Sequence, residues 1–288
     1  MNKHKEMETL QADKIKTQYK AEVLRSNRVT SDQMEEIREI TLRVENPDFH
    51  CGINQCIGVL IEEPGHKFHH RFYTIAKVSS RETEKDRFTI MVKRCKYIDS
   101  FTGEEVQGLA SNYLCNRKMG EQITITGPYP LPFEIPQDNY ANMIMIGLGT
   151  GIVPFRGLIK YIHETRKTWN GKIRLFHGAK NGLELLYTND KESDTAQYYD
   201  DNTYYALNDL SPRPYWMDTL TKSPEIEKRA EEILDLLWQS NTYVYVAGDK
   251  RILDNLETIF STIIGSKVKW AIRKADLVRS KRWIEVIY

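Results

Sequence analysis

The chain has 288 residues, of which 40% are hydrophobic and 28% charged, and 41 Lys+Arg against 40 Asp+Glu leave a formal net charge of +1. This length predicts about two domains, each large enough to bury its own core, and the composition is typical of a folded globular protein. A near-zero net charge argues against nucleic acid as the main partner, because neutralising phosphates takes a basic surplus.

The start of the chain and its longest apolar run both argue against a membrane protein. Residues 1–14 alternate in charge and contain no hydrophobic core of a signal peptide. The run from Met143 to Phe155 is interrupted by three glycines and a threonine. It is shorter than the roughly 20 residues of a transmembrane helix, so no membrane span is expected.

Cysteine usage indicates a reduced compartment. The spacing contains one C-x4-C pair but no C-x-x-C pair of the kind that binds zinc or an iron–sulfur cluster; the cysteines are Cys51, Cys56, Cys95 and Cys115. We therefore expect no metal site and predict a cytoplasmic protein.

The first part of the chain is typical of an all-β domain. Segments rich in Ile, Val, Thr, Tyr and Phe predict strands at 37–44, 55–61, 71–78, 87–97 and 122–125. Many short strands at such intervals predict an antiparallel barrel or sandwich. The stretch from Pro128 to Pro136 holds four prolines, so we expect it to be irregular and to join two domains.

The second part alternates between strands and helices. Apolar runs predict strands at 142–147, 172–176, 203–207, 242–247 and 283–288, and helical periodicity predicts helices at 152–162, 223–237 and 249–264. This alternation predicts a parallel sheet with right-handed crossovers. The expected organisation is therefore an arm at 1–18, a β-barrel domain at 19–136 and an α/β domain at 137–288.

A glycine-rich turn follows the first strand of the α/β part. It runs from Gly147 to Arg156 as Gly-Leu-Gly-Thr-Gly-Ile-Val-Pro-Phe-Arg and opens a helix. Small residues let the backbone approach a ligand, and the N–H groups at a helix start attract phosphate. The turn is not a G-x-G-x-x-G fingerprint, because Ile152 stands at the last glycine position. Taken alone, it fits a structural role equally well.

A second segment carries a cation, a ring and a hydroxyl together. In Arg71-Phe-Tyr-Thr-Ile-Ala76, a regular strand would place Arg71 and Tyr73 on one face and Thr74 on the other. Such a set could hold a pyrophosphate, cover a flat heterocycle and donate to a ring nitrogen. The alternative for this segment alone is a half-buried strand with an exposed arginine.

Taken together, the segments resemble the ferredoxin–NADP reductase family, two-domain flavoenzymes with an FAD barrel before a pyridine-nucleotide domain. The match is spread over six motifs in the correct order: Arg71–Thr74 resembles R-x-Y-[ST], Val92–Tyr97 resembles V-K-R-x-x-Y, Gly108–Leu114 resembles G-x-x-S-N-x-L, Gly149–Arg156 resembles G-T-G-x-x-P-F-R, Val246–Asp249 stands where the family has a C-G pair, and Trp283–Tyr288 resembles a V-E-V-Y ending. The aromatic residue at 288 makes the plant-type branch the most similar.

The resemblance implies how the first domain would hold FAD. Arg71 and Ser111, with the backbone of residues 108–110, would bind the pyrophosphate of FAD. Tyr97 would stack on the adenine, and Tyr73 would cover one face of the isoalloxazine.

The resemblance also implies a reaction centre. Tyr288 would cover the other flavin face and would have to move aside to admit nicotinamide. The Thr74 hydroxyl would point at flavin N5, and Glu285 would stand beside it, so Thr74, Glu285 and Tyr288 form the predicted catalytic set. Lys93 and Thr150 would lie near the nicotinamide and the nucleotide diphosphate. The full predicted cofactor-binding set is Arg71, Phe72, Tyr73, Thr74, Met91, Val92, Lys93, Tyr97, Gly108, Leu109, Ala110, Ser111, Gly149, Thr150, Gly151, Pro154, Ala179, Lys180, Asn208, Asp209, Gly248, Asp249 and Tyr288.

Three positions depart from the family pattern. Thr74 replaces a serine and keeps the hydroxyl on a stiffer side chain. Ala247 replaces the cysteine of the C-G pair, so no thiol is present there. Where NADP-specific members carry Ser-Arg, this chain has Asn208-Asp209. A carboxylate suits a ribose hydroxyl and repels a 2′-phosphate, which favours NADH over NADPH.

The function implied by the resemblance is an FAD-dependent oxidoreductase. Hydride would pass between NADH or NADPH, with NADH favoured, and flavin N5. Single electrons would pass between the flavin and ferredoxin, flavodoxin or another one-electron acceptor protein. The alternative is a non-catalytic flavin- or nucleotide-binding subunit of a larger redox complex, which the missing thiol at Ala247 favours. The sequence does not indicate an oligomeric state.

Overall fold

The computed structural model describes residues 17–63, 67–79, 85–98, 102–166, 168–178, 186–187, 203–208, 226 and 229–288. The chain divides into two compact units, Met1–Leu131 and Pro132–Tyr288. The predicted arm lies outside the described residues up to position 16. None of the helices in the described ranges is both long and apolar enough to cross a bilayer.

The first unit is built around a closed antiparallel barrel. In chain order its strands are β1 (Gln18–Arg28), β2 (Ile37–Arg43), β3 (Gln55–Glu63), β4 (Lys67–Val78), β5 (Arg87–Lys93), β6 (Lys96–Ile98), β7 (Glu105–Gln107) and β8 (Gln122–Pro130). The barrel order is β1–β2–β5–β4–β3–β8, and β6 pairs with β7 as a separate hairpin. The helix α1 (Leu109–Cys115) follows that hairpin. Of the two predicted architectures, barrel or sandwich, the structure has the barrel.

Alternation along the strands fills the barrel interior. Every second residue points inward, and the inward residues are mostly β-branched or aromatic. The buried core includes Ala21, Val23, Ile40, Leu42, Ile57, Val59, Phe88, Ile90, Val92, Ile123 and Ile125. The helix α1 adds Leu114 and Cys115 to this core. This packing fixes which side chains of β4 and β5 remain at the surface.

The second unit is a parallel sheet with flanking helices. Its elements in chain order are β9 (Asn142–Leu148), a 3₁₀ turn (Gly149–Ile152), α2 (Val153–Thr165), β10 (Ile173–Gly178), β11 (Thr203–Asn208), α3 (Ala230–Trp238), β12 (Thr242–Gly248), α4 (Arg251–Ile264), α5 (Lys267–Arg279) and β13 (Trp283–Ile287). The strand order is β11–β10–β9–β12–β13. All residues of β9 are buried, as expected for the central strand of a parallel sheet covered on both faces.

The sheet order places the glycine-rich turn beside the ends of β12 and β13. In the parallel register, Gly147 on β9 lies opposite Ala247 on β12, and Ala247 lies opposite Val286 on β13. Ligands of open α/β sheets bind at the carboxyl ends of the strands. The turn, the end of β12 and residue 288 therefore meet at the edge where such a ligand is expected.

The proline-rich join differs from its prediction. The strand β8 continues through Pro128 to Pro130, with Tyr129 opposite Cys56 and Pro130 opposite Gln55. Proline lacks only the N–H group, so its carbonyl still accepts in a ladder that is already irregular here. After Leu131 the chain joins the second unit, where the Phe133 ring packs on Phe155 and Tyr245.

Two further predictions need correction. The single strand expected at 87–97 is interrupted after Lys93, because Arg94 donates its N–H to the carbonyl of Glu36 and the chain then turns into the β6–β7 hairpin. The helices α1 and α5 were not predicted at all. The predicted start of a helix at Ser223 lies outside the described residues.

Candidate functional site

The motif on β4 presents a cation and a half-buried aromatic ring. Arg71 is exposed, while Tyr73 and Thr74 are half-buried. The Tyr73 ring packs against the barrel core. Burial raises the pKa of the Tyr73 phenol, and the nearby thiols of Cys95 and Cys115 raise it further. The phenol is therefore neutral. Cys95 follows β5 and Cys115 ends α1, so both segments lie near the motif on β4.

The predicted residues on β5 differ in what they can offer a ligand. Val92 is fully buried in the barrel core and Met91 is almost fully buried, so a ligand at the surface could use mainly their backbone groups. The Lys93 ammonium forms an ion pair with Glu35. Lys93 is therefore engaged within the first unit.

Arg94 ties the end of β5 to the strands and helix around it. Its guanidinium donates to Glu36 Oε2 at 2.7 Å, to Asn112 Oδ1 at 2.5 Å and to Asn116 Oδ1 at 3.0 Å. The hydrogen bond from Arg94 lowers the pKa of Glu36, so the carboxylate stays charged. This network fixes α1 relative to the barrel, and sequence reasoning did not assign Arg94 a role of its own.

Ser111 closes the loop that leads into α1. Its Oγ accepts the N–H of Cys95 at 3.0 Å and donates to the Gly108 carbonyl at 3.2 Å. A Cβ atom on Gly108 would stand 3.2 Å from the Cys95 carbonyl oxygen, tighter than side chains usually pack. Ala110 is buried and Leu109 is exposed. The Ser111 hydroxyl thus has a structural role, and its predicted role toward pyrophosphate remains a prediction.

The hairpin before α1 carries an exposed aromatic ring. Tyr97 on β6 is 55% exposed and lies opposite Val106 on β7. On β4, by contrast, the Phe72 ring lies against His70 and Tyr129. Tyr97 therefore has the accessible face that stacking on a heterocycle requires, whereas Phe72 serves the barrel.

The glycines at and beside the turn after β9 are required for different physical reasons. A Cβ atom on Gly151 would overlap the carbonyl of Ala247, and one on Gly147 would stand 2.8 Å from the backbone of Ile152. Gly248, with φ 138°, would bring a Cβ atom within 2.7 Å of the Leu148 carbonyl. Gly149 has φ 58° and open space around it. Close packing explains three glycines, and Gly149 marks where a ligand can approach the backbone.

The start of α2 is arranged to attract an anion. No side chain caps this end of the helix, Pro154 stands in its first turn and no acidic residue does. The N–H groups of a helix start point outward and carry the positive end of the helix dipole. The 3₁₀ turn Gly149–Ile152 runs directly into α2, and the N–H of Val153 bonds to the Thr150 carbonyl, so turn and helix form one helical start. Phosphate binding at this start remains a prediction.

Tyr288 lies beside the turn. Its phenol oxygen is 2.9 Å from Thr150 Oγ1, and its backbone N–H donates to the carbonyl of Gly248 at 3.2 Å. The side chain is exposed. The structure thus brings together Thr150, Gly248 and Tyr288 from the predicted site. Asp249, half-buried, follows Gly248 and accepts the N–H of Ile252 at the start of α4.

Glu285 is held by residues other than those of the turn. Its Oε1 accepts from the indole N–H of Trp283 at 2.5 Å and lies 3.3 Å from the ammonium of Lys274 on α5. In V-E-V-Y the glutamate is two residues before the tyrosine, whereas Glu285 is three before Tyr288. Because strand side chains alternate, the position two before Tyr288 is taken by Val286. These contacts do not favour the predicted catalytic role of Glu285.

A buried histidine beneath the turn was missed. His177 on β10 is fully buried, and its imidazole hydrogen-bonds to the backbone of Gly149. Burial, opposed by that hydrogen bond, lowers the pKa of His177 to about 3, so the ring is neutral. The signal was a histidine in a strand whose other residues, apart from Arg174, are apolar or glycine. Arg156 of α2, also unassigned, stacks 3.5 Å above the ring of Tyr187.

Some predicted site residues lie outside the described part of the chain. Ala179, Lys180 and Asp209 are among them, and for Asn208 only the backbone pairing with Gly178 is described. Within the described ranges, no group of three or more His, Cys, Asp and Glu side chains could hold a metal ion.

Comparisons with known proteins identify relatives of this chain. Residues 145–257 match the model of the oxidoreductase NAD-binding domain. The chain is 31% identical over 246 residues to the leaf isozyme 1 chloroplastic ferredoxin–NADP reductase of Arabidopsis thaliana, which covers 81% of this chain and 67% of that protein. It is 27% identical over 263 residues to the ferredoxin–NADP reductase of a Picosynechococcus strain, covering 88% of this chain and 65% of the relative.

The fold has a solved counterpart. The ferredoxin–NADP+ reductase of Plasmodium falciparum with 2′P-AMP superposes with a TM-score of 0.68 at 21% identity, covering 95% of this chain and 97% of that one. Barrel, parallel sheet and glycine turn define the class of two-domain nucleotide-binding oxidoreductases. Within that class, the chain belongs to the ferredoxin–NADP reductase family. It spans about two thirds of the length of these curated relatives.

Proposed function

We propose that this protein is an FAD-dependent oxidoreductase that exchanges hydride with a nicotinamide nucleotide and single electrons with a ferredoxin-type or flavodoxin-type carrier. The observation that carries the proposal is the edge of the second unit, where an exposed Tyr288 ring lies beside an open glycine turn and an uncapped helix start. The curated relatives named above are ferredoxin–NADP reductases.

The residues of the first unit fit a flavin dinucleotide. Arg71 offers an exposed cation for the pyrophosphate, Tyr97 an accessible ring for the adenine, and Tyr73 and Thr74 a neutral phenol and a hydroxyl at the half-buried end of the motif. Bound there, FAD would supply the redox chemistry that no amino-acid side chain provides. The protein groups would orient its ring system and shield it from water.

The residues of the second unit fit a dinucleotide. The positive end of the dipole of the 3₁₀ turn and α2 would attract its phosphates, and the open space at Gly149 would let the backbone approach them. The nicotinamide would take the place of the exposed Tyr288 ring, which lies beside Thr150 of this turn. No sequence departure in this turn conflicts with such binding.

The central experiment is spectroscopic. The purified full-length protein should be yellow, with flavin absorbance, and should be bleached by NADH or NADPH under anaerobic conditions. A colourless protein that does not retain added FAD would contradict the proposal. Reoxidation by ferredoxin, compared with flavodoxin and with a small one-electron oxidant, would identify the carrier.

A preference for NADH is part of the proposal and rests on the sequence Asn208-Asp209. A carboxylate at 209 would repel a 2′-phosphate, although the named relatives are NADP reductases. Asp209→Arg should raise kcat/KM for NADPH relative to NADH, because a guanidinium binds phosphate bidentately. Asp209→Asn is the matched control, since it removes repulsion without adding attraction. A strong NADPH preference of the natural protein would refute this part.

A non-catalytic nucleotide-binding subunit is the second candidate. It is favoured by Ala247, which brings no thiol, and by Glu285, whose carboxylate is engaged by Trp283 and Lys274. This candidate predicts FAD binding without bleaching. The anaerobic titration therefore separates the two functions directly.

A further inference from the structure

The contact between Thr150 and Tyr288 joins a rigid part of the second unit to an exposed one. The two side-chain oxygens are 2.9 Å apart, a normal hydrogen-bond length between hydroxyl groups. Tyr288 is 61% exposed, so little packing restrains its ring. Its backbone is held through the N–H bond to Gly248, which leaves the ring itself able to turn.

Thr150 stands on a turn that is fixed on both sides. On one side, the buried imidazole of His177 hydrogen-bonds to the backbone of Gly149. On the other, Gly151 packs so closely against the Ala247 carbonyl that no Cβ atom fits between them. The position of the Thr150 hydroxyl is therefore set by the fold, and the phenol of Tyr288 adapts to it.

We propose that Thr150 is a positioning residue for Tyr288, holding the phenol beside the glycine turn until a nicotinamide ring displaces it. The inference rests on the proposed function, in which nicotinamide must take the place of the Tyr288 ring. The Thr150–Tyr288 hydrogen bond then opposes binding of the nicotinamide end of the nucleotide. It does not oppose binding of the phosphates and adenosine, which require no movement of that ring.

The proposal makes a prediction about two classes of ligand. Removing the hydrogen bond should tighten binding of an oxidised nicotinamide dinucleotide and leave binding of ADP-ribose, which lacks nicotinamide, almost unchanged. A hydrogen bond between neutral groups corresponds to roughly a two- to tenfold change in affinity. Direct contact of Thr150 with the phosphates would instead change the affinity of both ligands.

The test is calorimetric titration of the flavin-loaded protein with NAD+, NADP+, ADP-ribose and 2′-phospho-ADP-ribose. Tyr288→Phe and Thr150→Val each remove one partner, and Thr150→Ser keeps the hydroxyl. We expect Tyr288→Phe and Thr150→Val each to raise the affinity for the dinucleotide by roughly two- to tenfold, while the affinity for the matching ADP-ribose fragment stays almost unchanged. Thr150→Ser should behave as the natural protein, and the double variant should add nothing, because both changes break the same bond.

Several outcomes would overturn the inference. One is an equal change in affinity for the dinucleotide and its fragment, and another is an additive effect of the two substitutions. A third is a Thr150→Ser variant that binds the dinucleotide as Thr150→Val does. Each would show that Thr150 acts on the nucleotide directly. Failure of the proposed function has a different signature. In that case the natural protein would bind none of the four ligands, and the inference would fail with it.

Discussion

The two units hold their candidate binding residues in different ways. In the barrel, side chains do the holding: Arg94 joins Glu36 to Asn112, and Ser111 joins Cys95 to Gly108. In the sheet unit the turn after β9 is held mainly by backbone packing, because Gly147 and Gly151 leave no room for a Cβ atom. The first arrangement depends on polar partners and the second on the absence of Cβ atoms.

The difference determines which substitutions each unit tolerates. A site held by side-chain hydrogen bonds weakens when one partner is removed and is restored by a residue of similar chemistry. A site held by close backbone approach fails when even one methyl group is added. All five tryptophans lie beyond residue 131, so tryptophan fluorescence reports on the sheet unit and flavin retention on the barrel.

The largest effect is expected at Gly151. Gly151→Ala places a methyl group inside the contact radius of the Ala247 carbonyl, so the turn must move away from β12. We expect a loss of about 3 kcal/mol in the free energy of unfolding, measured by urea titration followed by tryptophan fluorescence, together with loss of nucleotide binding. Gly149→Ala is the matched control: it has open space and only a positive φ, which costs about 1 kcal/mol. Equal losses in the two variants would contradict the packing explanation.

The next effect concerns the barrel. Arg94→Ala removes the guanidinium that joins Glu36, Asn112 and Asn116, and it leaves Glu36 paired with Arg38. We expect a loss of about 2 kcal/mol in unfolding free energy, measured by circular dichroism during urea titration, and faster loss of FAD on dialysis. The control is Lys77→Ala, which removes an exposed ion pair with Glu39 and should cost about 0.5 kcal/mol or less. If the two variants were equally stable, the Arg94 network would have no special role.

A smaller effect, confined to binding, is expected at Tyr97. Because this ring is exposed, Tyr97→Ala should leave the unfolding free energy unchanged and weaken FAD affinity by about tenfold, through loss of stacking. Fluorescence titration of the apoprotein with FAD measures this. Ile98→Ala on the same strand, also exposed, is the control. Unchanged FAD affinity in Tyr97→Ala would mean that the adenine lies elsewhere.

The smallest effect at neutral pH concerns Glu232 on α3. Burial raises the pKa of its carboxyl, but hydrogen bonds from Arg174 and Arg229 outweigh burial and lower the pKa to about 2, from the ordinary 4.5. Between these values the unfolded chain binds more protons than the folded one, so stability rises with pH. The contribution of Glu232 is complete above pH 4.5 and is lost as pH falls through 2.

Urea titrations at pH 5 and pH 3, followed by tryptophan fluorescence, measure this dependence. We expect the sheet unit to be less stable at pH 3 than at pH 5, and the difference to shrink in Glu232→Gln, which cannot titrate. Glu164→Gln, at an exposed ion pair with Lys160, is the control and should keep the natural dependence. An unchanged difference in Glu232→Gln would assign the acid sensitivity to other carboxylates.

Long, strongly patterned segments could be predicted from the sequence. The central strands β9 and β12 are continuous apolar runs, and the stripe on α2 follows helical spacing. The helix α1 was missed because seven residues are too few to show a period. The helix α5 was missed because Trp270, Arg273 and Leu277 are buried while apolar Val268 and Ile272 are exposed, which weakens the pattern.

The sequence indicated which residues lie together at the candidate site better than it indicated where their side chains point. Motif order predicted a site at the turn after β9 and at residue 288, and the structure places Thr150 beside Tyr288. Motif order did not indicate that Glu285 bonds to Trp283 and Lys274, although one extra residue before the tyrosine implies the opposite strand face. Nor could it indicate that His177 underlies Gly149, because that contact depends on the pairing of β9 with β10.

The strand orders imply that the two units form their long-range strand pairs at different stages of folding. Each pairs segments about 100 residues apart: Lys20 bonds to Thr124 across β1 and β8, and Asn142 to Thr242 across β9 and β12. In the barrel this distant pairing is the final seam, and the β3–β4 hairpin can form locally beforehand. In the sheet it joins the central strands, so the entropic cost of closing this loop arises at the start of assembly. We expect the sheet unit to acquire its native contacts more slowly.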